Sequence, residues 1–203
     1  MIDSRFDFLS RLFLTKGKKL YIVGGSSRDL LLGRAYSDHD FVTDATPEEI
    51  KVFLPDANYS FARFGSIRLQ MEGEEVDITT LREEGEYLDH RHPSYIRFIK
   101  DLYQDSLRRD FTINAIYLDN QYKTIDYHDG LNDLKNGLIR FIGDPRQRIE
   151  EDPLRMLRAE RFAEKLHFTI ENETKKAIEE KRYLLCEINP AKIEEEEKKR
   201  KAK

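Results

Sequence analysis

The stretch Val23-Gly24-Gly25-Ser26-Ser27-Arg28-Asp29-Leu30-Leu31-Leu32-Gly33, followed by Asp38-His39-Asp40, decides how the chain is read. Leu20-Tyr21-Ile22-Val23 is a short apolar run, which predicts a strand stopped by the glycine pair. Ser26 to Leu32 predicts a short helix, with Gly33 as its stop. Gly24 and Gly25 let the backbone pass close to a phosphate, and the helix after them presents free N–H groups to it. Arg28 falls in the first turns of that helix, where the dipole favours an acid, so a cation there suits a bound anion better than the helix. The plainer alternative is a tight turn with a surface Arg. A P-loop is excluded because no Gly-Lys-Ser/Thr follows, and a dinucleotide fingerprint because the third glycine is missing. Asp38 and Asp40 alternate along an extended segment, so both carboxylates share one face and His39 points to the other. Two such carboxylates can hold one or two Mg²⁺ ions against a nucleotide α-phosphate and an attacking hydroxyl. An edge strand that merely shows acids to solvent gives the same pattern.

Working outward, Phe6 to Leu14 predicts an amphipathic helix ending at Gly17, and Thr46-Pro47 a capped helix start. Residues 59–71 read as strand pieces around Gly65, and Glu75 to Thr79 as a strand after a hairpin turn at Gly73-Glu74. Leu81 to Pro93 is very polar and reads as a loop. Leu107 to Tyr117 reads as helix, Tyr122 to Tyr127 as a strand, Gly130 to Leu134 as a turn into a helical piece. Helices are expected over Glu151 to Lys165 and Glu171 to Glu180. Beyond Pro190 the chain is almost wholly charged, with Glu194 to Glu197 each four residues before a Lys or Arg; this predicts a solvated helical tail with little packing.

The 203 residues permit one good-sized core or one core with a helical appendage. With 39% hydrophobic and 36% charged residues and no apolar run of about 18, nothing spans a membrane. The single Cys186 builds neither a disulfide framework nor a Cys-based zinc site. A formal charge of −4 argues against a coat protein held to nucleic acid by bulk charge, while leaving room for a local basic surface. The N-terminus lacks a signal peptide pattern, so a cytoplasmic protein is expected.

The segment Glu151-Asp152-Pro153-Leu154-Arg155-Met156-Leu157-Arg158-Ala159-Glu160-Arg161-Phe162 is the second strong signal. On one helix, Met156, Ala159, Phe162, Ala163 and Leu166 form an apolar stripe, with Asp152 and Arg155 inside its arc, Arg158 at its edge and Arg161 further round. A charged pair on a buried arc needs partners, which a nucleobase edge can supply. A structural Asp152–Arg155 salt bridge is the alternative. Likewise Arg109 suits a triphosphate through its rigid fork, or pairs with Asp105 along a helix.

The glycine turn with its Asp-x-Asp resembles the head-domain signature of the class II tRNA nucleotidyltransferases and bacterial poly(A) polymerases, within the polymerase-β-like superfamily. Glu75-Val76-Asp77-Ile78-Thr79-Thr80-Leu81-Arg82, the loop Tyr87 to Pro93, Asp105 to Ala115, Asp129-Gly130 with Asp133-Leu134, and Ile139 to Pro145 resemble further family segments in the same order. The resemblance runs over about residues 18–180. It implies an α+β fold: a nucleotidyltransferase head with a short, mostly antiparallel sheet flanked by helices, then a partial helical neck. The expected division is a head at 1–142, a neck with the nucleotide-selecting helix at 143–190, and a charged tail at 191–203. It implies Asp38 and Asp40 as Mg²⁺ ligands and Asp77 as a third catalytic acid. It implies Gly24, Gly25, Arg28 and Arg109 around the triphosphate, and Asp152, Arg155, Arg158 and Arg161 at the base. The implied substrates are CTP or ATP and a tRNA or other RNA 3′ end. Members of the family continue into body and tail domains that hold the RNA; here either the chain is cut short, or a protein partner or second chain supplies that region. CCA-, CC- or A-adding activity and poly(A) polymerisation share all these residues. An RNA-binding remnant and a small-molecule nucleotidyltransferase are the remaining alternatives.

Overall fold

Asp3 begins the chain's first helix by accepting the backbone N–H of Arg5 and Phe6. That helix, α1 (Ser4–Thr15), buries Phe6, Leu9 and Phe13, spaced to fall on one face. The computed structural model describes residues 3–36, 38–87 and 93–201. After α1 come β1 (Leu20–Ile22), α2 (Gly24–Leu31), β2 (His39–Thr43) and α3 (Pro47–Lys51). Thr46 and Glu49 close a capping box around Pro47, as its sequence signature requires. Next are β3 (Ser66–Met71), β4 (Glu74–Thr80), β5 (Arg82–Glu84), β6 (Ile96–Phe98), α4 (Leu102–Leu107), β7 (Ile116–Leu118) and β8 (Thr124–Asp126). The remainder is α5 (Gly130–Asn136), β9 (Leu138–Ile139), α6 (Pro145–Glu151), α7 (Leu154–Leu166), β10 (Thr169–Ile170), α8 (Asn172–Lys181) and α9 (Pro190–Lys201).

The chain divides into two compact units. One holds the described residues of Met1–Glu83, Ile96–Arg108 and Asn114–Tyr127; the other holds those of Glu84–Tyr95, Arg109–Ile113 and His128–Lys203. The first is built on a sheet of order β3-β4-β2-β1-β7-β8. Every pairing in it is antiparallel except β2 with β4, so the fold is α+β with a mixed, mostly antiparallel sheet. Alternation sorts the two faces. Leu20, Ile22, Phe41, Ile67, Val76, Ile78 and Leu118 pack with Phe6, Leu9 and Phe13 of α1. Tyr21, Val23, Val42 and Tyr117 belong to a second, smaller cluster on the opposite face.

In the second unit Phe111 stacks on Phe141 with ring centroids 5.1 Å apart and meets Phe162 edge-on at 5.5 Å. In the same unit Ile139, Ile142, Ile149, Met156, Ala159 and Leu166 are buried. No described helix is long and apolar enough to cross a membrane.

Six expectations are corrected. Residues 59–64 form no strand; Ala62–Phe64 is a 3₁₀ turn and β3 starts after Gly65. The hairpin turn is Glu72-Gly73, both at positive φ, one residue earlier than expected, because Glu74 already pairs with Met71. Within the expected loop, Arg82–Glu84 is a strand paired with β6, while Leu88 to His92 lie outside the described residues. The helix expected over 107–117 ends at Leu107, since Asp101 caps an earlier start. From Phe111 to Leu118 every residue is buried, which a one-sided helix cannot do. Finally, the helix expected over 151–165 is broken. Pro153 pushes the residue before it out of the helical region, and Asp152 lies at φ −151, ψ 97 between α6 and α7. The tail also differs from a purely solvated one: in α9, Glu196 pairs with Arg161 of α7 at 3.1 Å and Arg200 pairs with Glu164 and Glu160, while Ile193 is half-buried.

Candidate active site

In the first unit the acids gather on the sheet face that α1 leaves uncovered. Asp40 on β2 is the register partner of Asp77 on β4, whose antiparallel partner is Arg68 on β3. Directly paired residues point to the same face, so Asp40, Asp77 and Arg68 lie side by side. Asp38 immediately precedes β2, is exposed, and alternates with Asp40. Burial pushes the Asp77 carboxyl above the usual carboxylate range against the opposing pull of Arg68, and the charges of Glu75 and Asp38 add to the rise. Arg68 Nε donates to Asp77 Oδ1 at 2.8 Å.

His39 points the other way, into the core. It is buried and bridges Asp3 Oδ2 at 2.9 Å and Glu74 Oε2 at 2.7 Å. The short Asp38–Asp40 segment is therefore anchored from behind by its middle residue. From the other side, Ser26 Oγ accepts the backbone N–H of Asp40 at 2.8 Å and donates to the Asp38 carbonyl.

The glycine turn meets this segment directly. Gly24 has φ +72, and a Cβ built on it would lie 3.1 Å from Asp40 Oδ2. Only glycine meets both conditions without strain. The glycines also open α2 rather than precede it. Arg28 is buried and its guanidinium is fixed on two sides: Nη1 donates to Asn114 Oδ1 at 2.9 Å, while Nε and Nη2 form a fork on Asp29 at 2.9 and 2.8 Å. A surface Arg is ruled out.

Do these residues fit a divalent ion? Mg²⁺ takes hard oxygen donors, commonly one or two carboxylates completed by substrate phosphates and water. Asp38 and Asp40 supply that pair. Among the described residues no group of three His, Cys, Asp or Glu side chains is gathered for a metal. The donor set thus suits an ion that arrives with a nucleotide better than a permanent all-protein cage.

The second unit gathers the guanidinium groups. Arg155 and Arg148 are both buried, and both donate to Glu151 Oε2, at 2.7 and 2.5 Å. Arg155 also donates to the Arg148 carbonyl at 2.7 Å and lies 5.6 Å from the Tyr87 ring centroid. The expected structural partner Asp152 is replaced by Glu151. Arg148 Nη2 donates to the carbonyl of Arg109 at 2.9 Å. Arg158 pairs with Asp110 at 2.6 Å and Arg161 with Glu196. Burial alone would raise the Asp110 carboxyl; Arg158 and Arg155 outweigh it and hold the group below its ordinary value. Asp152 differs. Burial raises its carboxyl, with Arg155 opposing, and its Oδ1 accepts the N–H of Leu154 at 3.1 Å. Asp105, considered as a partner for Arg109, pairs with Arg108 at 2.8 Å and accepts the Tyr117 hydroxyl at 2.8 Å.

Asn114, Arg68, Arg148 and Glu151 were not singled out by the sequence. Asn114 and Arg68 carry no sequence signal, because their partners lie on other strands or motifs. Arg148 and Glu151 did carry one: an Arg and a Glu three residues apart, with Arg155 four residues beyond.

Comparison with known proteins follows the same lines. The model of the poly A polymerase head domain matches residues 20–140. The CCA-adding enzyme of Lactobacillus helveticus is 43% identical over 180 residues, covering 89% of this chain and 45% of that protein. The CCA-adding enzyme of Bacillus licheniformis is 46% identical over 173 residues, covering 85% and 44%. Among solved structures, the Bacillus stearothermophilus CCA-adding enzyme in complex with CTP superposes with a TM-score of 0.88 at 31% identity, over 98% of this chain and 49% of that one. A tRNA nucleotidyltransferase complexed with a primer tRNA and an incoming ATP analog gives 0.77 at 32% identity, over 94% and 55%. The chain spans about half the length of the curated relatives it matches.

Proposed function

The chain belongs to the poly A polymerase head domain family, and from that premise we propose that it transfers nucleoside monophosphates from CTP or ATP to the 3′-hydroxyl of tRNA, releasing pyrophosphate. The observation that carries this reading is the contact between the glycine turn and Asp40. The backbone suited to a phosphate and the acid suited to a metal form one site, so close that a Cβ on Gly24 would lie 3.1 Å from Asp40 Oδ2.

In this reading Asp38 and Asp40 hold Mg²⁺, with Asp77 the third acid of the same face. A divalent ion there neutralises phosphate charge and lowers the pKa of the 3′-hydroxyl. Gly24, Gly25 and Arg28 hold the triphosphate, and Arg109 keeps the triphosphate role that the family resemblance implies for it. Asp29 and Asn114 keep the Arg28 fork aimed, so little ordering is left to do on binding. Asp152 and Arg155 read the base edge: the carboxylate accepts the exocyclic amine of cytosine or adenine, and the guanidinium donates to ring nitrogen or carbonyl. Arg158 and Arg161 complete that surface. Relatives named CCA-adding enzymes, and solved structures with CTP or with primer tRNA, support this reading over poly(A) synthesis.

The test is incubation with labelled CTP or ATP, Mg²⁺ and a tRNA lacking its last nucleotides. Addition stopping at one, two or three nucleotides supports the proposal. A long A-only ladder moves the chain to poly(A) synthesis, and no product with either nucleotide overturns the assignment.

A further inference from the structure

The 3₁₀ turn Ala62–Phe64 stands beside β3, the edge strand of the six-stranded sheet. It displays two aromatic rings to solvent: Phe61 is 50% exposed and Phe64 is 36% exposed. Each ring carries a guanidinium. Arg63 lies 4.5 Å from the Phe64 ring centroid, and Arg68 lies 5.7 Å from that of Phe61. The turn is fixed in place. Gly65 has φ +81, and a Cβ on it would come within 2.8 Å of the Phe98 ring. The Gly65 carbonyl accepts the N–H of Thr80 at 2.8 Å, and Arg82 donates to the Phe64 carbonyl. Rings held this way lose little freedom when something stacks on them.

The same residues lead to the acids. Arg68 reaches from the Phe61 ring to Asp77, and Asp77 is the register partner of Asp40. From β3 to β2 is two strand spacings, about 10 Å. Aromatic rings paired with arginines suit unpaired bases, because every base has a π-face and its phosphate neighbours favour a cation.

We propose that Phe61, Arg63 and Phe64 form the stacking platform for the 3′-terminal bases of the single-stranded RNA primer. Arg68 bridges that platform to the Asp38–Asp40 face, so the terminal 3′-hydroxyl is delivered to the acids. The inference rests on the nucleotidyl-transfer reading for its direction, and its test is separate from that reading.

The experiment measures binding of two short 5′-fluorescein RNAs by anisotropy, one ending in C-C and one with an abasic 3′-terminal residue. CTP binding is measured by calorimetry on the same protein. The wild type should prefer the intact RNA by roughly tenfold, the scale of one base–aromatic stack. Phe61→Ala with Phe64→Ala should lose about that factor on the intact RNA and almost nothing on the abasic one, a double-mutant cycle in which one partner is the base. Phe61→Trp with Phe64→Trp should restore the preference. A thermal melt checks each fold, and Phe61→Leu replaces the alanine pair if that pair fails to fold. Equal losses on both RNAs, no loss on either, no binding of either RNA by the wild type, or a changed oligomeric state in place of changed RNA affinity would each overturn the platform. Failure of CTP to bind would instead remove the nucleotidyl-transfer reading and leave the RNA result standing.

Discussion

The strand bearing Asp38 and Asp40 and the helix bearing Arg155, Arg158 and Arg161 solve opposite problems. On β2 the backbone is fixed and the acids lie on a face the main core leaves uncovered: His39 and Phe41 are buried behind them, and Ser26 pins the main chain. On α7 each arginine is braced by a protein carboxylate: Glu151 for Arg155, shared with Arg148, Asp110 for Arg158, and Glu196 for Arg161. The difference follows from the side chains. An Asp has two rotatable bonds and needs only a rigid strand to aim it. An Arg has a long flexible stem, and holding its fork in one pose requires a partner. The acids proposed for the metal are thus positioned by backbone, and the arginines proposed for the base by bracing acids.

The largest effect should come from the strand. Asp38→Asn or Asp40→Asn should reduce transfer below detection at saturating Mg²⁺ while shifting the melting temperature little, since neither is buried. Ready incorporation by both variants would sink the metal assignment. Gly24→Ala attacks the same face through the backbone. An L-residue at φ +72 costs about 1–2 kcal/mol, and its Cβ would displace the Asp40 carboxylate from 3.1 Å. A shift of that kind should lower kcat about 100-fold with Asp40 itself intact. Wild-type kcat in this variant would show that the close approach is incidental.

The helix should respond more in stability and nucleotide affinity than in chemistry. Glu151→Gln leaves Arg148 and Arg155 buried side by side with only a neutral amide between them. Burial already pushes Arg148 below its ordinary pKa, and the neighbouring Arg155 adds to that. The cost should be about 1–3 kcal/mol, or roughly 2–12 °C in melting temperature for a chain of this size. KM for CTP should rise about tenfold, with kcat changing less, because the guanidinium proposed to meet the base is loosened while the acids are untouched. A fall in kcat alone, at unchanged KM and melting temperature, would break the contrast between the two regions.

Much of the first region was legible because its signals are local. Alternation placed Asp38 and Asp40 together, the glycine pair marked a close approach, and Thr46-Pro47 gave a helix start. The second was harder. The helical arc drawn through Asp152 and Arg155 assumed one continuous helix, and Pro153 breaks it. Reading the restriction that proline puts on its predecessor would have placed Asp152 in a turn. The helix expected over 107–117 fails at 111–118 because a continuously buried segment has no period to read. Asn114 on Arg28 and Arg68 on Asp77 are long-range pairings, which no spacing in one sequence encodes.

The smallest predicted effect concerns how the two regions divide rate from selectivity. Burial raises the Asp152 carboxyl, Arg155 only opposing the rise, whereas Arg158 and Arg155 hold Asp110 below its ordinary value. A raised carboxyl keeps its proton to higher pH than an ordinary Asp. Above that range it is an acceptor and meets the amine of cytosine or adenine. As pH falls through the raised value it becomes a neutral acid whose O–H can donate to the carbonyl that uracil presents in place of the amine. The ratio of CTP to UTP transfer efficiency should therefore shrink on acidification, beginning above the ordinary Asp value of 3.8. Acidification should change the ratio a few-fold out of a discrimination worth about 1–3 kcal/mol. Taking the ratio cancels any titration that affects both nucleotides alike, including changes at the metal-binding face. Asp152→Asn supplies the control: an amide offers a donor and an acceptor at every pH, so its ratio should be small and flat. If the wild-type ratio is flat as well, or the Asn variant keeps a slope, then Asp152 does not read the base, and its raised carboxyl reflects only the buried turn that Pro153 imposes.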